Sequence, residues 1–344
     1  MTTAPAGGGR LRAYLEFIAA VIFYFLARSM ARHAAASLAN EAWYPLAEQA
    51  VLVFVLILGF ALFGQLFDHQ KSPVVEQGLP LRAGWSHEAG MGIAVGWGIA
   101  LACVIPLAIA SGIAIVLSMQ RSSWAWLLVD TLFFAVMAMA EEVAFRGYGF
   151  QRLRGVVGSA GATLGFAVFY AIIQALQPGS TRLSFVVSIL FGVLLSTAYL
   201  RTRALWLSWG VNFGWKASRA LVFGLAVSGV SSHSSVVEGD PMGPFWLTGG
   251  GYGLDGSWLA FFVLLAALPV VYRVTRELDF RYNAPVIIPG GLPVDLDAAA
   301  RRQHESAMGS GEPAAPAFVQ ILPAAPTASK PPERVSDAGP QEPR

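Results

Sequence analysis

Two adjacent carboxylates, Glu141 and Glu142, and a guanidinium, Arg146, interrupt a long apolar run in the stretch MAMAEEVAFRGYGFQRL, residues 137–153. A carboxylate in an apolar setting can serve as a general base on water or as a ligand for a metal ion. Glu142 and Arg146 are four positions apart, so on a helix they share a face and can pair. The plain structural reading of that pair is a salt bridge near a helix end. Glu141 points about 100° away from Glu142 around the same helix and finds no partner within it. A lone charge at membrane depth costs roughly 2.5–3.5 kcal/mol or more. Glu141 must therefore face a cavity, a metal, or a cation carried by another helix.

The membrane setting follows from composition. Hydrophobic residues make up 55% of the 344-residue chain and charged residues only 13%, with a mean hydropathy of +0.56. Soluble domains carry about 25% charged residues, so the deficit points to a polytopic membrane protein. The single cysteine, Cys103, lies in an apolar segment. It excludes an internal disulfide and a thiolate-based zinc site, which needs several cysteines. A net charge of +2 is too small to suggest nucleic-acid binding. The expected surroundings are the lipid bilayer.

A helical span takes roughly 20 apolar residues. Eight stretches qualify, near 12–32, 46–67, 89–118, 124–142, 159–176, 184–200, 204–229 and 257–275. The third is long enough to be tilted or broken, and the fifth and sixth are short. This predicts an all-α polytopic bundle of about eight transmembrane helices. Its organisation reads as N-terminal helices and a cytoplasmic loop over 1–88, a membrane core over 89–281, and a disordered Pro- and Ala-rich cytoplasmic tail over 282–344. Lysine and arginine gather in alternate loops. Arg10 and Arg12, Lys71 and Arg82, Arg152 and Arg154, and Arg201 and Arg203 fall on one side, with the C-terminal arginines. The Gly- and Ser-rich loop over 230–256 carries neither residue. Both termini are then expected in the cytoplasm, of a bacterial inner membrane, with that loop outside. The first span has an alternative reading as a signal peptide, with small residues near RHAAASLA. Glu16 within its core and the later charge alternation favour a retained helix.

The stretch EEVAFRGYGFQRL resembles the first motif of the CAAX-protease and bacteriocin-processing (CPBP) intramembrane metalloproteases. That motif is Glu-Glu-x-x-x-Arg, commonly followed by Gly-Tyr and Gln-x-Leu, here Glu141, Glu142, Arg146, Gly147, Tyr148, Gln151 and Leu153. GPFWLTGGGYGLDGS is similar to a loop found between the last two helices of bacterial members. The resemblance covers about residues 75–275. It implies a bundle of eight or so membrane helices in which the first Glu of the pair activates a water. It further implies two histidines on later helices that bind zinc, and an Asn one turn after the second. Family substrates include prenylated C-terminal peptides and bacteriocin leaders. The resemblance makes Glu141, Glu142 and Arg146 the candidate catalytic residues.

The chain departs from that pattern at three positions. In YAIIQALQPG, Tyr170 stands at the motif Phe and Gln174 at the first His. In WGVNFGWK, Asn212 stands at the second His and Lys216 at the Asn. Gln174, Asn212 and Lys216 are therefore the candidate binding positions. Zinc favours imidazole, thiolate and carboxylate over a neutral amide. The five histidines, His33, His69, His87, His233 and His304, fall in loops, at helix ends or in the tail, so none can substitute. No metal ligand and no cofactor are expected, with zinc only if the family activity is retained. A carboxylate-only site joining Glu141 to Asp130 or Glu48 would suit magnesium or manganese better. The plainer reading makes Asp130 interfacial, some 16 Å along the helix from Glu141, and Glu48 a first-turn acid favoured by the helix dipole. Lys216 either supplies the positive charge opposite Glu141 or snorkels to an interface. The expected function is a CPBP-like protein, degenerate at the zinc site, that binds a membrane peptide or protein partner. The alternatives are an active intramembrane endopeptidase and a transporter or channel component.

Overall fold

In a computed structural model, which describes residues 7–282 apart from Ser111 and Met119, the apolar runs become helices in the expected order. They are α1 (Gly7–Leu38), α2 (Tyr44–Asp68), the single turn α3 (Pro73–Glu76), α4 (Trp85–Ile109), α5 (Arg121–Arg146), α6 (Tyr148–Ala175), α7 (Arg182–Thr202) and α8 (Leu205–Ala217). The short α9 (Phe245–Thr248), α10 (Trp258–Val274) and α11 (Arg276–Tyr282) complete the chain. By length and composition, Gly9–Leu38, Tyr44–Asp68, Trp85–Ile109 and Arg182–Thr202 can each cross a bilayer, as can parts of Arg121–Ala175, which holds both α5 and α6. The protein is an integral membrane protein built as an all-α bundle. The expected tail over 282–344 lies outside the described residues, apart from Tyr282.

Two expected spans end early. The third stops at Ile109, just after Pro106, and Ile113–Leu117 forms strand β1 instead. β1 pairs antiparallel with β2 (Val237–Pro241), Ile115 opposite Gly239. Hydropathy alone does not separate a short apolar strand from the end of a buried helix, and the β-branched IAIVL suits a strand. The seventh span is shorter still. α8 has 13 residues, about 20 Å at the helical rise, and runs into one π-helical turn, Ser218–Val222. Positive φ at Gly224, Ser228 and Gly229 then carries the chain away. A helix that stops inside the bundle must satisfy its last carbonyls within the protein. Ser218 Oγ donates to Gly214 O at 2.6 Å and Arg219 Nε to Trp215 O at 3.1 Å.

The first helix is longer than the expected span 12–32. It packs against α2 and α6, burying Ala20, Tyr24, Ala27 and Ala31, so it is an integral wall of the bundle. Glu16 is buried there and meets Arg12 at 2.8 Å and Arg152 at 3.5 Å.

Glycine sets how close α8 comes to α4. Gly92 and Gly96 on α4 face Gly210 and Gly214 on α8, each pair four residues apart. A Cβ on Gly92 would lie 2.3 Å from Leu207 O, and one on Gly210 would lie 2.3 Å from Ala89 O. The two backbones touch, as small-xxx-small faces allow between membrane helices. On α8's other contacts, Trp209 Nε1 donates to Ala135 O of α5 at 2.9 Å and Trp206 Nε1 to Pro80 O at 2.8 Å. Two glycines also break the α5–α6 run. Gly147 joins the helices where a Cβ would sit 2.4 Å from Val143 O, and Gly158, at φ 79°, turns the chain inside α6.

Gly210→Val should lower the thermal midpoint in detergent by the equivalent of about 1–3 kcal/mol or more, the range for overpacking a close contact. Gly98→Val, where a Cβ meets nothing within 4 Å, should leave the midpoint unchanged. Equal midpoints for the two variants would refute the close-approach account.

Candidate functional site

The last turns of α5 place Glu141 and Glu142 beside α8. Asn212 bridges the two acids, its Nδ2 donating to Glu141 Oε2 at 2.9 Å and to Glu142 Oε1 at 3.0 Å. Lys216, one turn further along α8, brings Nζ to 2.5 Å from Glu141 Oε1. Its side chain is only 2% exposed and that of Glu141 15%. Lys216 therefore does not snorkel; it points inward and closes an ion pair between two helices. Both oxygens of Glu141 have protein donors.

Glu142 and Arg146 form the second pair, NH1 to Oε1 at 3.0 Å, with both side chains fully buried. Arg146 NH2 also donates to Gly192 O on α7 at 3.3 Å, and the guanidinium lies 5.7 Å from the Tyr170 ring centroid. Tyr170, the residue at the motif Phe, thus offers the buried cation a ring face as well as its packing against Phe145. The rest of the motif is structural. Gln151 Nε2 donates to Tyr199 OH at 3.2 Å and to Glu76 O at 2.6 Å, Tyr148 stacks on Phe60, and Leu153 packs on the core.

Glu141 faces a cavity of about 70 Å³, room for a few water molecules. Tyr24 and Arg28 of α1, Gln49 of α2, and Tyr170, Gln174 and Gln177 also line it. Gln174 Nε2 donates to Tyr170 OH at 2.7 Å. Tyr252, from the loop before α10, donates to Gln174 O at 3.4 Å; burial first, and then the nearby Asp255 charge, push its hydroxyl up to about 12. The six candidate positions thus split into two groups. Glu141, Glu142, Arg146, Asn212 and Lys216 form one linked network, and Gln174 meets it across the cavity.

Of the two other acids, Glu48 needs a corrected placement and Asp130 is structural. Asp130 is 1% exposed, accepts from Ser234 N–H at 2.7 Å and meets His233 Nδ1 at 3.0 Å. It anchors the 230–236 loop to α5. Glu48 lies beyond the first turn of α2 and pairs with Arg32 at 3.3 Å, so a neighbouring helix, not a dipole, holds it. Neither acid meets Glu141. Among the described residues no group of three or more His, Cys, Asp or Glu is arranged to hold a metal. The donors at the two histidine positions are amides, and the third position holds an ammonium. That set does not fit zinc.

A third buried ion pair was missed. Arg219, fully buried, brings NH1 to 2.9 Å from Asp255 Oδ2, with its Cζ 4.0 Å over the Trp215 ring. Trp215 Nε1 and Ser228 Oγ donate to the same carboxylate at 3.2 and 3.0 Å. The available signal was an arginine inside an expected span, which calls for a partner. Tyr24 and Gln49 carried no comparable signal, because only the packing of α1 and α2 brings them to Glu141.

Residues 120–218 match a family model described as Rce1-like, type II CAAX prenyl endopeptidase Rce1-like. The matched segment runs through α5, α6, α7 and α8 and contains all six candidate positions. Over this segment, and so over less than a third of its length, the chain is similar to the CAAX-protease family. No curated protein and no solved structure matches it. Gln174, Asn212 and Lys216 all fall within the matched segment.

Arg146→Ala strands Glu142 in a fully buried position. It should destabilise the protein by about 3–5 kcal/mol, the usual cost of removing one partner of a buried pair. Arg146→Lys should cost less but still register, since the bond to Gly192 O depends on the guanidinium fork. Thermal unfolding in detergent measures both, and an unchanged midpoint for Arg146→Ala would rule out the pairing role.

Proposed function

We infer that this CAAX-protease-like membrane protein is a degenerate member that holds a membrane peptide or protein partner without cleaving it. One observation carries the reading: Lys216 Nζ stands 2.5 Å from Glu141 Oε1, with Asn212 on the other oxygen. In the active enzymes of the family a metal supplies the positive charge opposite the first Glu. Here an ammonium supplies it. A fixed cation at that place both balances Glu141 and repels a divalent ion. The amides at Gln174 and Asn212 offer no compensating affinity.

The cavity favours a binding role. Gln49, Gln174 and Gln177 present amides, Tyr24 and Tyr170 present phenols, and Arg28 presents a cation. Such groups complement the main-chain amides and carbonyls of a peptide, which lack water partners inside a bilayer. The cavity is small, so the natural occupant is one small side chain or peptide group of a longer segment held along the bundle. In this reading the protein sits in the inner membrane with both termini in the cytoplasm, following the alternation of lysine and arginine between loops.

Purified wild-type protein should hold no stoichiometric zinc by elemental analysis. Gln174→His, Asn212→His and Lys216→Asn combined in one chain should create zinc binding that the wild type lacks. About one zinc per wild-type chain, lost on Glu141→Ala, would return the protein to the active peptidases.

A further inference from the structure

A second, larger concavity lies apart from the Glu141 network. It encloses about 1000 Å³ between the start of α1, the end of α2, the first segment of α6 and the end of α7. Five arginines line it, Arg10, Arg12, Arg152, Arg154 and Arg203, against three carboxylates, Glu16, Asp68 and Glu76. The excess is two positive charges. Glu16 and Asp68 hold Arg12 and Arg152 in place, at 2.8 and 2.7 Å, which fixes two guanidiniums on the wall. Arg152 Nε is nevertheless a buried donor without an acceptor among the described residues. Arg154 uses its Nε on Ser159 Oγ at 3.0 Å. It also lies close enough to Arg203 for the two charges to repel. The fold gathers like charges here, and an anion seated between them would interact favourably with each.

The rim says what kind of anion. Leu11 and Leu15 on α1, Phe67 on α2 and Val157 on α6 are exposed, at 62, 57, 40 and 51%. They lie within a few residues of the lining arginines. A ligand seated here would have its anionic end among guanidiniums and its remainder against apolar helix faces. Guanidinium forks match phosphate oxygens in geometry as well as charge, and basic pockets between membrane helices hold anionic lipid headgroups. We propose that this cleft binds the phosphodiester headgroup of an anionic phospholipid, with the acyl chains lying on the exposed apolar residues of α1 and α6. A free phosphate shares the headgroup chemistry but would leave those apolar faces unused.

The test uses the full chain purified in a neutral detergent and titrated with phosphatidylglycerol, phosphatidylcholine or inorganic phosphate. Native mass spectrometry counts retained lipid, and thermal unfolding reads stabilisation. Phosphatidylglycerol should bind and raise the midpoint, while phosphatidylcholine and inorganic phosphate should not. Arg10→Gln and Arg154→Gln should each weaken phosphatidylglycerol binding about fivefold, roughly the worth of one basic residue at a membrane surface. Arg10 is exposed, so Arg10→Gln should keep the wild-type midpoint in phosphatidylcholine, which separates lost binding from lost folding. Equal binding of the two lipids, the same stabilisation by inorganic phosphate, or unchanged phosphatidylglycerol affinity in Arg10→Gln would each overturn the proposal.

Discussion

A carboxylate inside a bilayer-spanning bundle must be matched by positive charge or left uncharged, and the centre of this structure answers that constraint twice over. Glu141 and Glu142 are adjacent on α5, so their charges also repel each other. Arg146 matches Glu142 from one turn along the same helix. Lys216 matches Glu141 from another helix, and Asn212 bonds to both acids. With two carboxylates and two cations the network is formally neutral. Buried pairs of this kind add little net stability by themselves, but losing one partner is costly. The elements that deliver the partners must therefore stay in register.

That demand falls on α8. It is too short to cross a bilayer alone, and it ends inside the protein with Lys216 and Arg219 in its last turn and the π turn that follows. Its position comes from backbone contact with α4 through glycines on both helices, and from the Trp209 bond to α5. The chain beyond it returns Asp255 to Arg219. Two cations on one broken helix are thus each met by an acid from elsewhere, Lys216 by α5 and Arg219 by the loop before α10. The break in the helix exposes polar backbone only where protein covers it, the condition for irregular structure at membrane depth.

Much of this was legible beforehand, for identifiable reasons. The four-residue spacing of Glu142 and Arg146 implied their pairing, and the lack of a partner for Glu141 on its own helix implied a cavity, a metal or a cation on another helix. Hydropathy located the eight main helices. It overran at Ile113–Leu117, because apolar strand and apolar helix look alike in so short a run, and after Ala217, where an apolar run continues through a π turn and positive-φ residues. The partners of Asp130, His233 and Ser234, left no local signal because they lie more than a hundred residues away. The same holds for Tyr24 and Gln49 around the cavity: long-range packing of α1 and α2 leaves no local pattern. The family resemblance supplied the comparison that makes Lys216 meaningful, and the geometry supplied its partner.

The central claim is that Lys216 is the counter-charge of Glu141, in the place where a metal would otherwise stand. A double-mutant cycle measures it most directly, using Lys216→Met, Glu141→Gln and the combined variant, with unfolding free energies read in one detergent. Lys216→Met alone should be strongly destabilising, and adding Glu141→Gln should restore part of the loss, giving a coupling of about 1–3 kcal/mol, within the range for contacting residues. Losses that add to within about 0.5 kcal/mol would show that the two charges do not depend on each other, and would contradict the account.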